Sequence, residues 1–432
     1  MHEPNSRIPL AEMPVKFTAD GVLLKVQAQF ILRLLPKPSL VIELDDLPAD
    51  TKIDFENPFF VTLENGNEIE VSCISWNTQT SDSGAVDKCV LVPTGGICTL
   101  LRTDEQLQSV AFNILNFPMF FKGQDKVFEA IDDKGKRLRL LGAVKLETHP
   151  WLIEICAVPE LEETKKRLQS EGGYAVTHIG IVVRSDGKTF SVEEVKELIT
   201  HTLRLFLSFA SGSFCGVVDL KGRDHTGGII WRLLGSPIVD PWSTGRQSWF
   251  DTMHGHVLSE VFEGFHARLN DTNMGVKTER GLYWYLLGNR GTGFSDADTV
   301  LVQAALEYLA YVQLKDDKRG QKASDIIKNA LVNIGICVDI PNSCQKLYNF
   351  AEEHDWKHGP HALTELRNDM IHAKQRYETV PSGVHYEAKN LGLWYVEMVL
   401  LRFFKYCGVY SNRLVERWVG EVEPVPWAQE SE

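Results

Sequence analysis

Arg367, Asn368 and His372 are the residues of this chain whose types and spacing could do chemistry together. They stand in Leu366-Arg367-Asn368-Asp369-Met370-Ile371-His372, an amide directly after the guanidinium and an imidazole five positions after it. Cleavage of RNA by its own ribose 2′-OH would use these three types. That nucleophile is internal, so no metal is required, but the 5′-leaving oxygen needs a proton and the phosphorane needs its charge relieved. Histidine has an ordinary pKa suited to proton transfer near neutrality. Arginine stays charged and can grip phosphate oxygens with two parallel hydrogen bonds. Asparagine can orient the phosphate or the imidazole. R-x-x-x-x-H alone is a weak signal. What sets this stretch apart is its helical context, the Asn, and the break at Gly359-Pro360 before it; Arg204 follows His201 in the wrong order, and Arg280 has no His behind it.

A helix from Pro360 would turn Leu363, Leu366 and Met370 to the core. It would gather His361, Glu365, Asn368 and His372 within about 60° of one another on a polar stripe. By the same arithmetic Arg367 lies about 140° from His372. A long reach of Arg367, an irregular helix, or a second subunit would each bring the two together, and we favour the second subunit. Lys357, His358 and His361 before the motif, and Lys374 after it, are candidates to hold RNA beside the site. For the loop histidines, His354 included, plain solvation is the simpler reading.

Other clusters carry less. His254, His256 and His266 invite a metal, but helical positions i and i+2 point to different faces, so we expect no metal site. Gly288-Asn289-Arg290-Gly291-Thr292-Gly293 has neither a preceding strand nor a G-K-[ST] ending, and reads as a hinge rather than a phosphate loop. Pro93-Thr94-Gly95-Gly96 reads as a turn. Trp231, Trp242, Trp249 and Tyr283-Trp284-Tyr285 could stack bases, although aromatics at such spacing more often fill cores.

The elements that must position the motif are helical from Ser295 onward, with helices expected over 297–314, 322–334, 342–353, 360–373 and 384–407. Pro341, Gly359-Pro360 and Pro381-Ser382-Gly383 punctuate them, and the short loops imply a bundle. The last helix is apolar on nearly every face, which places it at the bundle centre or in a subunit interface. Residues 1–158 read as a β-rich domain with strands over 15–30, 39–47, 59–76, 88–93, 137–147 and 151–158. Asn65-Gly66 marks a tight hairpin, Asp132-Asp133-Lys134-Gly135 a second turn, and 110–122 is open between helix and buried strand. Residues 159–290 are mixed: a capping box at Ser191/Glu194 opens a helix to about Ala210, strands follow over 215–220 and 229–234, then helices over 248–269 and 278–287. The expected class is a multidomain α+β protein divided as 1–158, 159–290 and 295–432.

A chain of 432 residues is long enough for two or three domains. With 44% hydrophobic and 24% charged residues it is ordinary globular protein. Its net charge of −13 argues against a sequence-independent nucleic-acid coat, which would need Lys and Arg stripes. Eight scattered Cys residues without C-x-x-C spacing read as reduced thiols, not a zinc ribbon. No basic, apolar leader opens the sequence, and its longest apolar run is short of the roughly 20 residues of a membrane span. A cytoplasmic, membrane-free protein is expected.

Arg367-Asn368-Asp369-Met370-Ile371-His372 in a C-terminal helical bundle resembles the HEPN superfamily, most of whose members are metal-independent ribonucleases. More narrowly, the layout resembles ApeA-type abortive-infection proteins of bacterial phage defence. The motif covers six residues and the architectural likeness about the last 135. The resemblance implies a homo-oligomer, a dimer or higher even assembly, with a site shared between subunits. It implies cleavage of RNA, with tRNA a candidate, to 2′,3′-cyclic phosphate ends, with no cofactor, and with the first two regions restraining the bundle until a phage-derived activator is sensed. Arg367 would hold the phosphate, His372 transfer the proton and Asn368 orient them, with Asp369 adjacent. Some members carry a Tyr two positions after the His, where a partner enzyme modifies them; Lys374 stands there, which puts that control in doubt. The competing class is a non-catalytic HEPN-containing interaction or nucleotide-binding protein.

Overall fold

The computed structural model describes residues 2–19, 21–47, 57–81, 84–101, 106–121, 128–131, 137–140, 143–291, 295–314, 320–372 and 380–428. The fold is mixed α+β, β-rich in its N-terminal half and helical in its C-terminal part. Six antiparallel strands first close into a barrel. In chain order they are Arg7–Ala19, Val22–Arg33, Ser39–Leu47, Phe59–Leu63, Glu68–Ser81 and Gly84–Pro93, and around the barrel they run first, second, third, sixth, fifth, fourth. Val15 opposite Leu63 closes the ring. Period-two alternation turns Val15, Phe17, Phe30, Ile42, Val61 and Leu91 into a core of their own. The run 15–30, expected as one strand, is a hairpin in which Ala19 faces Val22 and Gly21 takes a positive φ. At the expected Asn65-Gly66 turn, Gly66 has φ +82° and its N–H donates to the Leu63 carbonyl at 3.0 Å.

A second, seven-stranded antiparallel sheet runs Val144–Thr148, Trp151–Ala157, Val176–Arg184, Ser109–Leu115, Gly216–Arg223, Ile229–Gly235, Ile97–Leu101. Strand Ser109–Leu115 makes the first part of the open 110–122 stretch a buried strand, with Val110, Phe112 and Ile114 facing the core. The sheet draws strands from both sides of residue 158, so that sequence boundary runs through it. The Asp132–Gly135 turn lies outside the described residues, though the flanking strands pair, Arg137 opposite Ile131. The capping box forms as expected: Glu194 N–H donates to Ser191 Oγ (3.4 Å) and Ser191 N–H to Glu194 Oε2 (2.7 Å). Its helix is interrupted by a π-helical turn at Leu198–Leu203.

The remaining helices are Val257–Leu269, Gly275–Asn289, Ser295–Gln313, Ala323–Val332, Gln345–Glu353, Gly359–Ile371 (the motif helix) and Ser382–Phe403 (the last helix). The expected helix over 248–269 starts only at Val257, because Trp249 and Phe250 are buried in a loop turned by Asp251 Oδ1 accepting from the Met253 N–H. One hydrophobic core is continuous from Leu107 on the sheet to Trp427 after the last helix. It includes residues on both sides of the expected hinge, Leu286 before it and Val302 after it. Gly288 is helical, and a Cβ there would lie 2.6 Å from Val302 Cγ2, so helix packing and not flexibility is what this glycine serves. Thr292 and Gly293 lie outside the described residues. The last helix is buried within the chain itself from Leu391 to Leu401, against the helices around it, which removes it as a reason to expect a dimer. No described helix is long and apolar enough to cross a membrane.

Candidate active site

The motif helix is fixed at its start. His358 is the N-cap, its Nδ1 accepting from the His361 N–H at 3.1 Å, and Pro360 occupies the first turn, where its missing N–H costs nothing. His361 Nδ1 in turn accepts from the Lys357 N–H at 3.1 Å. A Cβ on Gly359 would sit 2.5 Å from the Tyr395 hydroxyl, so this entry needs a glycine. Ala362, Leu363 and Leu366 are wholly buried. These roles revise the RNA-binding expectation for His358: the ring is buried and its Nδ1 committed to the cap, and burial, then Lys328 and His361, hold its pKa down. His361 is half-buried, 4.0 Å from Glu365, while Lys357 is exposed. Lys374 lies outside the described residues.

The helix was expected to run to Ala373 but ends at Ile371. His372 caps it with φ −98° and ψ 105°, its N–H still donating to the Asn368 carbonyl at 3.0 Å, and its side chain is exposed. His361, Glu365 and Asn368 therefore share the helical stripe, and His372 leaves it. Arg367 and Asn368 are half-buried and joined, Arg367 Nη1 donating to Asn368 Oδ1 at 3.1 Å, and Arg367 Nε is buried without an acceptor among the described residues. No hydrogen bond or ion pair joins Arg367 to His372 among the described residues.

His385 was missed. The motif and last helices pack antiparallel as a hairpin, Gly359 against Tyr395 and Leu363 against Gly392, and Asp369 is close enough to His385 to act on its charge. Burial lowers the His385 pKa, while Asp296 and Asp369 oppose that shift; its Nδ1 has no hydrogen-bond partner among the described residues. One turn on, Lys389 Nζ lies 3.5 Å from the buried Asp298. The sequence signal was available in the spacing around 373–381, but it needed the hairpin to be assumed first. Among the described residues no group of three or more His, Cys, Asp or Glu could hold a metal. His254 is engaged with the Gly420 carbonyl (3.0 Å) and His266 with Thr148 (2.9 Å).

The fold defines a class: an antiparallel barrel followed by an antiparallel sheet and helices that share one core. Residues 102–245 match the family model of the YopA central domain and residues 271–424 that of the YopA C-terminal domain. The chain is 27% identical over 345 residues to the SPbeta prophage-derived uncharacterized protein YopA of Bacillus subtilis (strain 168), an alignment covering 76% of this chain and 74% of that protein. No solved structure matches. The motif and His385 both fall within the C-terminal match.

Proposed function

We propose that the chain is a metal-independent endoribonuclease of the HEPN type, cleaving RNA, tRNA the first candidate, to 2′,3′-cyclic phosphate ends in defence against phage. The observation that carries the reading is the end of the motif helix. There an Arg steadied by its neighbouring Asn precedes a His presented to solvent at the helix exit. Arg367 grips the scissile phosphate, Asn368 holds the guanidinium in place, and His372 passes the proton to the leaving oxygen. A second subunit completes the site, since Arg367 and His372 of one chain do not meet. That the relative is a prophage-derived protein supports a setting of conflict between phage and host. The shared core supports restraint of the helical part by what precedes it.

Purified protein incubated with tRNA in EDTA should cut it, and His372→Ala and Arg367→Ala should each remove cutting without changing the fold. Undiminished cleavage by His372→Ala sinks the assignment. One observation favours the non-catalytic reading: Asp296 and Asp369 border the same helix ends and repel phosphate. Inactivity of the native chain on every RNA tested, under conditions where a dimer is present, would select it.

A further inference from the structure

A cleft of about 250 Å³ opens between the region matched as the central domain and the tail that follows the last helix. Asp240, Trp242 and Arg246 line it from one side, and Arg413, Arg417 and Trp418 from the other. Its charges are unevenly shared. Arg413 has Glu397 and Arg417 has Glu423, but the fully buried Asp240 serves two cations, Arg246 Nη1 at 3.1 Å and Arg290 Nε at 2.6 Å. Asp251 also lines the cleft, and its two oxygens are taken by the backbone N–H groups of Met253 (2.7 Å) and Gly420 (2.9 Å). Arg246 is the cation that shares its one anion with a second arginine. Burial lowers its pKa and the like charge of Arg290 adds to that, while Asp240 opposes the shift.

The donors are unevenly served as well. Arg246 Nε, Arg417 Nε and Trp242 Nε1 are buried without an acceptor among the described residues. A buried donor left unpaired is destabilising, and three around one cleft call for a group with several acceptor oxygens and negative charge. At the mouth Trp418 is 83% exposed, a large aromatic ring held in solvent beside the 75% exposed Val419. An exposed indole edge of this kind is a stacking surface for a planar ring. The volume lies just below the roughly 300–1,000 Å³ of pockets for drug-sized ligands, which fits a mononucleotide and not a strand.

We propose that this cleft binds a nucleoside monophosphate, its phosphate on Arg246 and Arg417 and its base on Trp418. The site is separate from the motif helix and stands whether or not the chain cuts RNA. Arg413 reaches from the cleft wall to the Gln247 carbonyl (2.9 Å) and to Asn289 (3.0 Å), which ties the tail to the loop before Val257 and to helix Gly275–Asn289.

Titration calorimetry on the full chain with inorganic phosphate, the four nucleoside 5′-monophosphates and the matching nucleosides tests this. At least one monophosphate should bind tenfold or more tightly than phosphate alone and than its nucleoside. Trp418→Ala should bring that monophosphate to within threefold of phosphate, and Arg246→Gln should weaken it tenfold or more. Because Arg246 also holds Asp240, circular dichroism must show that variant folded; if it is not, Arg417→Lys and Trp418→Ala decide. Absence of binding by every monophosphate at millimolar concentration overturns the proposal. So does binding that both Trp418→Ala and Arg417→Lys leave unchanged, or phosphate binding as tightly as the monophosphates.

Discussion

Two charged constellations in the helical part are built in opposite ways. Around Arg413 every group is buried and answered: Nε and Nη2 donate to Glu397 at 3.0 and 2.5 Å, Nη1 to Asn289 Oδ1 at 3.0 Å, and the Tyr285 hydroxyl to Glu397 at 2.6 Å. At the end of the motif helix Arg367 has one hydrogen-bond partner among the described residues, Asn368, and His372 is exposed. A constellation with no unanswered group has nothing to offer a substrate and ties elements of the chain together. One whose cation is half served and whose imidazole is open has capacity to spare. The contrast separates architecture from candidate chemistry where residue types alone do not.

The largest effect should come from breaking the closed constellation. Arg413 is 2% exposed and Glu397 fully buried, so Arg413→Met strands a buried carboxylate, and loss of one partner from such a pair costs about 3–5 kcal/mol. The urea midpoint should fall accordingly. Arg413→Met combined with Glu397→Leu should recover part of the loss, because the stranded charge goes too. A single substitution costing under about 1 kcal/mol would show that the network is not the tie described.

A step smaller is the pH dependence of His178, enclosed by Phe117 and Phe120 on the central sheet with Nε2 unpartnered among the described residues. Burial pushes its pKa down to about 3. The unfolded chain takes up this proton near pH 6.5 and the folded chain does not, so stability is held above pH 6.5 and lost as pH falls toward 3. The slope from one such group is at most about 1.4 kcal/mol per pH unit. Between pH 7 and 5 the stability of the native chain should therefore drop more than that of His178→Leu. Equal drops would place a proton-accepting path beside the ring.

The contrast also marks what the sequence could tell. Local rules were legible: the Ser191/Glu194 capping box, the Asn65-Gly66 turn, and the strand-rich then helical order all depend on residues within a few positions of each other. Barrel closure through Val15 and Leu63 was not, because pairing across 48 positions leaves no periodic trace. Gly288, at the start of the stretch expected as a hinge, reads differently in the structure for a related reason. Glycine reads locally as flexibility, whereas Gly288 is small because Val302 packs on it from the next helix. Arg413 has no local pattern that marks its role, because its partners lie 16 to 166 positions away. In the candidate site the motif residues were legible as types, but the end of the helix at Ile371 and the approach of His385 are products of the hairpin.

The smallest effect on stability belongs to the open constellation, and it bears most on function. His372 is exposed, donates only its backbone N–H to the helix, and has no side-chain hydrogen bond among the described residues. His372→Ala should shift stability by no more than about 0.5 kcal/mol, because the cap uses only the backbone N–H, which Ala keeps, and the side chain is exposed. RNA cleavage, on the proposed reading, should disappear in the same variant. His385→Ala separates the two histidines further. If the imidazole beside Asp369 acts on His372 or on the phosphate, cleavage falls and its pH profile shifts; if His385 only packs, kcat and the profile stay while the urea midpoint drops. A His372→Ala chain that is markedly destabilised would mean the helix exit is part of the architecture after all, and the division between closed and open constellations would fail at the place where it matters most.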